Sequence, residues 1–157
     1  LKHLNEKGIV MFTHILVPTD GSPLSQEAVR KAVTFAKETG ARITAFYAKP
    51  AAPMAQYIEG IQIDKLILEQ YEKAATEHAK TILGYAEGLC RDAGVVCATA
   101  EASSDSPYEA IIEAANAKGC DLIFMASHGR RGISGLLLGS ETSKVLTHSK
   151  IPVLVFR

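Results

Sequence analysis

The apolar residues of this chain are gathered into short, nearly unbroken runs separated by stretches with helical spacing, and this alternation limits the possible folds more than any other feature. His14-Ile15-Leu16-Val17, residues 42–48, residues 121–126 and Pro152-Val153-Leu154-Val155-Phe156 are such runs, and residues 95–100 form a fifth, more mixed one. A strand that is apolar at successive positions has to be covered on both faces. Strands of that kind alternating with helices predict a parallel sheet with right-handed crossovers above and below it, so the fold class is α/β, doubly wound.

The intervening stretches carry helix signals. Ser22 is placed as an N-cap with Pro23 at the first helical position, where a missing N–H costs nothing. Ala28, Val29, Ala32, Val33 and Ala36 then form an apolar face, and Gly40 stops the helix. After a Pro- and Ala-rich connection over residues 49–60, apolar spacing through Ile63, Ile67, Tyr71, Ala74, His78, Ile82, Ala86 and Leu89 predicts one long helix interrupted in propensity by Gly84. Ser106-Pro107-Tyr108-Glu109 reads as a capping box opening a helix through Ile111, Ile112 and Ala115. The last helix is expected over residues 140–149.

Composition bounds the function. With 157 residues, 47% of them hydrophobic and 22% charged, the chain suits one globular domain with a substantial core. Seventeen Lys and Arg balance seventeen Asp and Glu, so no overall field draws it to nucleic acid or to an anionic membrane. Any anion site must be local. Cys90, Cys97 and Cys120 lack a C-x-x-C pairing and read as reduced, buried thiols. No apolar run reaches the roughly 18 residues of a membrane span, and no secretory signal stands at the start, so the expectation is a soluble, cytoplasmic protein with neither nucleic acid nor membrane as partner. Residues 1–11 are expected to be a flexible extension, with the domain occupying 12–157.

The segment most suggestive of chemistry is Ser127-His128-Gly129, nine residues, then Gly139-Ser140, between a strand and a helix. Its loop holds Gly129, Gly132 and Gly135 together with Arg130 and Arg131. Glycines there admit positive φ and close approach, so backbone amides can converge on an anion. Ser140 and Thr142 fall at the start of the next helix, where unpaired amides favour phosphate. The alternative is a tight turn with solvated arginines. Asp20, at the end of the first strand, suits either acceptance from a ribose hydroxyl or a turn before a helix. If the first and fourth strands are neighbours, Pro18-Thr19-Asp20-Gly21 faces this loop across one crevice. His78 reads as packed on the apolar helix face, His14 opens the first strand, His3 lies in the extension, and His128 suits positioning rather than base catalysis. A Walker-type Gly-Lys-Ser/Thr, a G-x-G-x-x-G turn and a metal-ligand cluster are all absent from the sequence, which disfavours a P-loop NTPase and a dinucleotide dehydrogenase.

Taken together, Ile15-Leu16-Val17-Pro18-Thr19-Asp20-Gly21-Ser22, Asp121-Leu122-Ile123 into Met125-Ala126-Ser127-His128-Gly129, Gly139-Ser140 and Ile151-Pro152-Val153-Leu154-Val155 resemble a universal stress protein over nearly the whole chain. The resemblance implies a five-stranded sheet ordered 3-2-1-4-5, Rossmann-like, and an ATP or other adenine-nucleotide ligand with Mg2+ held mainly by the phosphates. Carried over by position, Gly129, Gly139, Ser140 and Thr142 hold phosphates and ribose, while Pro18, Asp20, Ala48 and Met125 line the adenine and ribose side. Thr19, Ala126, Ser127, His128, Arg130 and Glu141 complete the candidate contacts. Ala126 stands where the ATP-binding pattern has its first Gly, and its methyl fits only at negative φ; Glu141 places a negative charge beside the phosphates. The connection over residues 49–60 is expected to be a mobile flap. The resemblance also implies a homodimer through the strand at residues 153–156, whose bare edge is otherwise an aggregation hazard. The function expected is nucleotide-dependent stress signalling with at most slow ATP hydrolysis; the alternative is a dimeric interaction module without nucleotide. The H-x-G-H and S-G-G-x-D-S patterns of adenylate-forming enzymes are missing.

Overall fold

The computed structural model describes residues 11–51, 65–130 and 138–157. Strands and helices alternate without exception through β1 (His14–Pro18), α1 (Pro23–Thr39), β2 (Arg42–Lys49), α2 (Lys65–Ala93), β3 (Cys97–Ser103), α3 (Pro107–Ala117), β4 (Leu122–Ala126), α4 (Ser140–His148) and β5 (Val153–Phe156). Every pairing is parallel, and the order across the sheet is β3-β2-β1-β4-β5. The order reverses between β1 and β4, which is where sheets of this kind open a crevice beyond their carboxyl ends.

The unbroken apolar runs are explained by two cores. Ile15, Val17, Ile43, Ala45, Tyr47, Leu122, Phe124 and Ala126 belong to the cluster with α1 and α2, while Leu16, Phe46, Ile123 and Met125 belong to the cluster with α3 and α4. Successive side chains thus meet opposite helix layers, and none can be polar without cost. His14 is the exception at the strand start: it is buried, with Nε2 2.8 Å from Thr44 Oγ1 on β2. The entrance of β1 is tied down by Asp121, whose carboxylate accepts from the Thr13 amide, the Thr13 hydroxyl and the His14 amide at 2.7–2.9 Å. Helix α1 forms as its sequence requires. Ser22 Oγ accepts from the Ser25 amide at 3.4 Å, and Gly40 closes the helix in the left-handed region at φ 75°.

Three expectations are corrected. Strand β3 starts at Cys97 and extends to Ser103, because the pairing runs on from Ile43↔Cys97 to Lys49↔Ser103 along the full length of β2. Val95 instead folds back, its amide donating to the Cys90 carbonyl at 2.9 Å after the left-handed Gly94. The apolar face expected of α2 is buried at Ile82 and Ala86 but not in the first half of the helix. Ala79, Ile82, Leu83, Ala86 and Cys90 are buried, whereas Ile67, Ala74 and His78 are exposed, since burial against the sheet begins only at Ala79. The capping box at Ser106 does not form: Ser106 makes no side-chain cap, and Glu109 accepts from the Tyr108 hydroxyl at 2.8 Å. The amide of Tyr108 is satisfied by Glu141 of α4 at 2.9 Å.

Cys90 and Cys120 are buried and Cys97 half-buried, all three as free thiols, and burial pushes the Cys120 thiol up to about 11. Among the described residues no helix is long and apolar enough to cross a membrane. Residues 1–10, Ile63 and most of the expected flap lie outside the described residues.

Candidate functional site

A crevice of about 610 Å³ opens across the carboxyl ends of β2, β1 and β4. Pro18, Thr19 and Asp20 enter it from the end of β1, Ala48 from β2, Met125 and Ala126 from β4, and His128, Gly129 and Arg130 from the loop beyond. Gly139, Ser140, Glu141 and Thr142 close it from the start of α4. Thirteen of the fourteen positions singled out from the sequence therefore line one space. The fourteenth, Ser127, is buried beside it: its amide donates to Phe156 at 2.7 Å and its carbonyl accepts from Gly139 at 2.8 Å, so it joins β4, β5 and α4 rather than facing the crevice. Sequence reasoning missed Ser25, Phe46, Tyr47, Pro50, Ser104, Asp105, Pro107 and Ile111, which form the remainder of the wall.

Asp20 serves as a turn residue and as a strut. One carboxylate oxygen accepts from the Ser22 amide at 3.0 Å, and the other from the Arg130 amide at 2.7 Å, bridging the loops after β1 and β4. Burial alone would raise its carboxyl, but hydrogen bonds from Ser22 and the Arg130 amide outweigh that and hold it below the usual carboxylate range. Asp20 also borders the crevice, where its carboxylate can take a further hydroxyl donor by sharing with Ser22, Ser25 and the Arg130 amide. Gly129 is required by the same strut. A Cβ there would lie 2.3 Å from Asp20 Oδ2, closer than any real contact.

Of the two properties expected of the glycines in this loop, Gly129 and Gly139 use close approach and not positive φ. Gly129 and Gly139 do not take positive φ; Gly139 sits at φ −61° and ψ 152° as the N-cap of α4. Their value is close approach, since a Cβ at Gly139 would meet His128 Cα at 3.1 Å. Gly132, Gly135 and Arg131 lie outside the described residues. No residue other than glycine has positive φ among the described residues, and the Ala126 methyl is part of the α1 and α2 core, so it is accommodated in β4.

At the start of α4 the first intrahelical bond is donated by Ser143 to the Gly139 carbonyl, which leaves the amides of Ser140, Glu141 and Thr142 without intrahelical acceptors. These amides and the exposed Ser140 hydroxyl point the positive end of the helix at the crevice. The Thr142 hydroxyl, expected to serve a ligand, donates to the Ala126 carbonyl at 3.0 Å and fastens α4 to β4. Glu141 is turned aside: its carboxylate accepts from the Tyr108 amide and from Lys144 Nζ, at 2.9 and 3.0 Å. Arg130, expected to offer charge to the crevice, lays its guanidinium on His78 of α2, with Nη2 2.8 Å from Nε2. His128 Nδ1 lies 3.2 Å from Ser127 Oγ, leaving the ring at the crevice wall. The apolar part of the lining is made by Phe46, Ala48, Ile111 and Met125.

A parallel doubly wound sheet with a crevice at the reversal of strand order, lined by a helix start and by apolar side chains, defines a Rossmann-like domain. Residues 11–157 match the model of the Universal stress protein family, and the chain belongs to that family. It is 32% identical over 160 residues to universal stress protein MJ0531 of Methanocaldococcus jannaschii, across 100% of this chain and 89% of that one. Universal stress protein UspA from Lactobacillus plantarum superposes with a TM-score of 0.74 at 27% identity, covering 92% of this chain and 97% of its own. A universal stress protein solved in complex with cAMP superposes with a TM-score of 0.68 at 26% identity, covering 94% and 98%.

Proposed function

We propose that this chain binds an adenine nucleotide in the crevice and acts in stress signalling through the bound and free states, not through rapid turnover. The carrying observation is the pairing of two unlike sets of groups in one space: three first-turn amides of α4 with the Ser140 hydroxyl, and the apolar Phe46, Ala48, Ile111 and Met125. Phosphate suits the amides and a purine the apolar residues, and Asp20, which lines the same space, would accept from a ribose hydroxyl. The Ala126 methyl, where the family pattern has glycine, packs with the α1 and α2 core, which supports room for a nucleotide beside it. A relative of the same fold that holds cAMP supports the ligand class. With ATP, Mg2+ would be carried mainly by the phosphates, neutralising part of their charge; among the described residues no group of three His, Cys, Asp or Glu is gathered to hold a metal.

Homodimerisation belongs to the same reading. Among the described residues β5 pairs only with β4, and a two-fold pairing of residues 153–156 would cover its other edge. Equilibrium dialysis with ATP, AMP and cAMP tests the reading: dissociation constants below about 1 mM are expected. Protein free of co-purified nucleotide that binds none of the three would refute it and favour the interaction module.

A further inference from the structure

The rim of the crevice carries a contact that exists in only one protonation state. Arg130 Nη2 lies 2.8 Å from His78 Nε2, and the His78 ring meets Tyr47 edge-on with centroids 6.0 Å apart at 78°. A guanidinium has donors and no acceptor, so it donates and Nε2 accepts; the ring is neutral, with its proton on Nδ1. A protonated imidazole has no lone pair to offer and repels a cation at that distance. The Arg130 amide meanwhile stays fixed on Asp20 Oδ2 at 2.7 Å, so the guanidinium can swing about an anchored backbone.

We propose that His78 is a positioning residue of the nucleotide site: neutral, it holds the Arg130 guanidinium on α2 at the rim, and protonated, it releases that guanidinium to the bound phosphate, so that affinity for an adenine nucleotide rises as the pH falls. The inference rests on the nucleotide reading above. Around His78 stand Tyr47 of β2 with Tyr71 and Lys49 in its field, Arg130 beyond β4, and Asp20 behind Arg130. Glu77, beside it on α2, is engaged by Lys80 at 2.9 Å. Among these, His78 is the side chain that can accept from a guanidinium in one protonation state and not in the other. His128 also borders the crevice, so the test must separate the two.

The probe is cAMP, whose phosphodiester keeps a single negative charge across the range. Calorimetric titration at constant ionic strength, at about pH 5.5 and about pH 8 on either side of the ordinary imidazole range, should show the wild type binding about three- to tenfold tighter at the lower pH. In His78→Gln the amide oxygen still accepts from Arg130 but cannot be protonated, and the ratio should fall to about one. Arg130→Gln should flatten it as well. A His78→Gln variant that keeps the wild-type ratio would assign the effect to His128 and overturn the inference, as would a wild-type ratio that is flat or inverted. A ligand-free readout stands beside these: the 15N shift of His78 Nε2 at about pH 8 should report an unprotonated acceptor that changes in Arg130→Gln, and a protonated Nε2 there would equally overturn it. Loss of cAMP binding at both pH values would instead refute the nucleotide reading and take the inference with it.

Discussion

Replacing Gly129 with alanine should break the strut between the two crevice loops, and the cost can be worked from the contacts. The new Cβ would lie 2.3 Å from Asp20 Oδ2 and 3.2 Å from its Cγ, so the carboxylate has to move. Moving it gives up the 2.7 Å bond from the Arg130 amide and disturbs the 3.0 Å bond from Ser22. A hydrogen bond to a charged acceptor contributes about 1.5–3 kcal/mol, and the Arg130 bond is exposed, so the low end applies and the expected loss is about 1.5–2 kcal/mol. Urea unfolding should show a lower midpoint with an unchanged slope. The same substitution in an Asp20→Ala background meets no carboxylate and should cost about 0.5 kcal/mol, leaving a coupling energy of about 1 kcal/mol in the double-mutant cycle. Equal costs in both backgrounds would refute the strut and return Gly129 to a merely permissive loop residue.

Other expectations follow from single side chains. Burial foremost, with Arg42 adding to it, holds His14 below the ordinary imidazole value of 6.5, so its contribution to stability is complete above pH 6.5 and is lost as the pH falls toward the folded-state value; a urea midpoint that drops between pH 7.5 and pH 5.5 in the wild type but not in His14→Gln would bear this out. Asp121→Ala removes the acceptor for three donors at the start of β1 and should cost about 1–2 kcal/mol in urea unfolding. Hydrogen bonds from His14 and Thr13 outweigh the opposing effect of burial and keep the Asp121 carboxyl below its ordinary value of 3.8, so its share of stability is present above pH 3.8 and lost on acidification below it. Gly84→Ala, in a helical position where a Cβ meets nothing within 4 Å, should stabilise the chain by about 0.5–1 kcal/mol; a lower melting temperature would contradict it.

The parts of this molecule that were legible in its sequence are those where one local rule decides. β1 and β4 are covered on both faces, so their runs are apolar throughout, and α1 carries its own start and stop at Ser22, Pro23 and Gly40. β3 was less legible because it is an edge strand, exposed at Ala98, Thr99, Glu101 and Ser103, and its extent is dictated by its pairing with β2. The face of α2 was misjudged at His78 because apolar spacing continues through Ile67 and Ala74, residues exposed ahead of the helix's contact with the sheet. In the crevice, positions adjacent to motifs were found, while Ser104, Asp105 and Ile111 were not, since only the strand order brings the loop after β3 and the start of α3 to this wall. The partners of Arg130, Glu141 and Thr142 were beyond local reasoning for the same reason. Each is satisfied by a residue distant in the chain: His78, Tyr108 and Ala126.

The central claim, that the first turn of α4 receives a nucleotide phosphate while the apolar part of the lining receives the base, is tested most directly by amide NMR during titration with cAMP. The account expects the largest shifts at Ser140, Glu141 and Thr142 together with Ala48 and Met125, all saturating with one dissociation constant. Shifts confined to other surfaces, or none at saturating ligand, would contradict it.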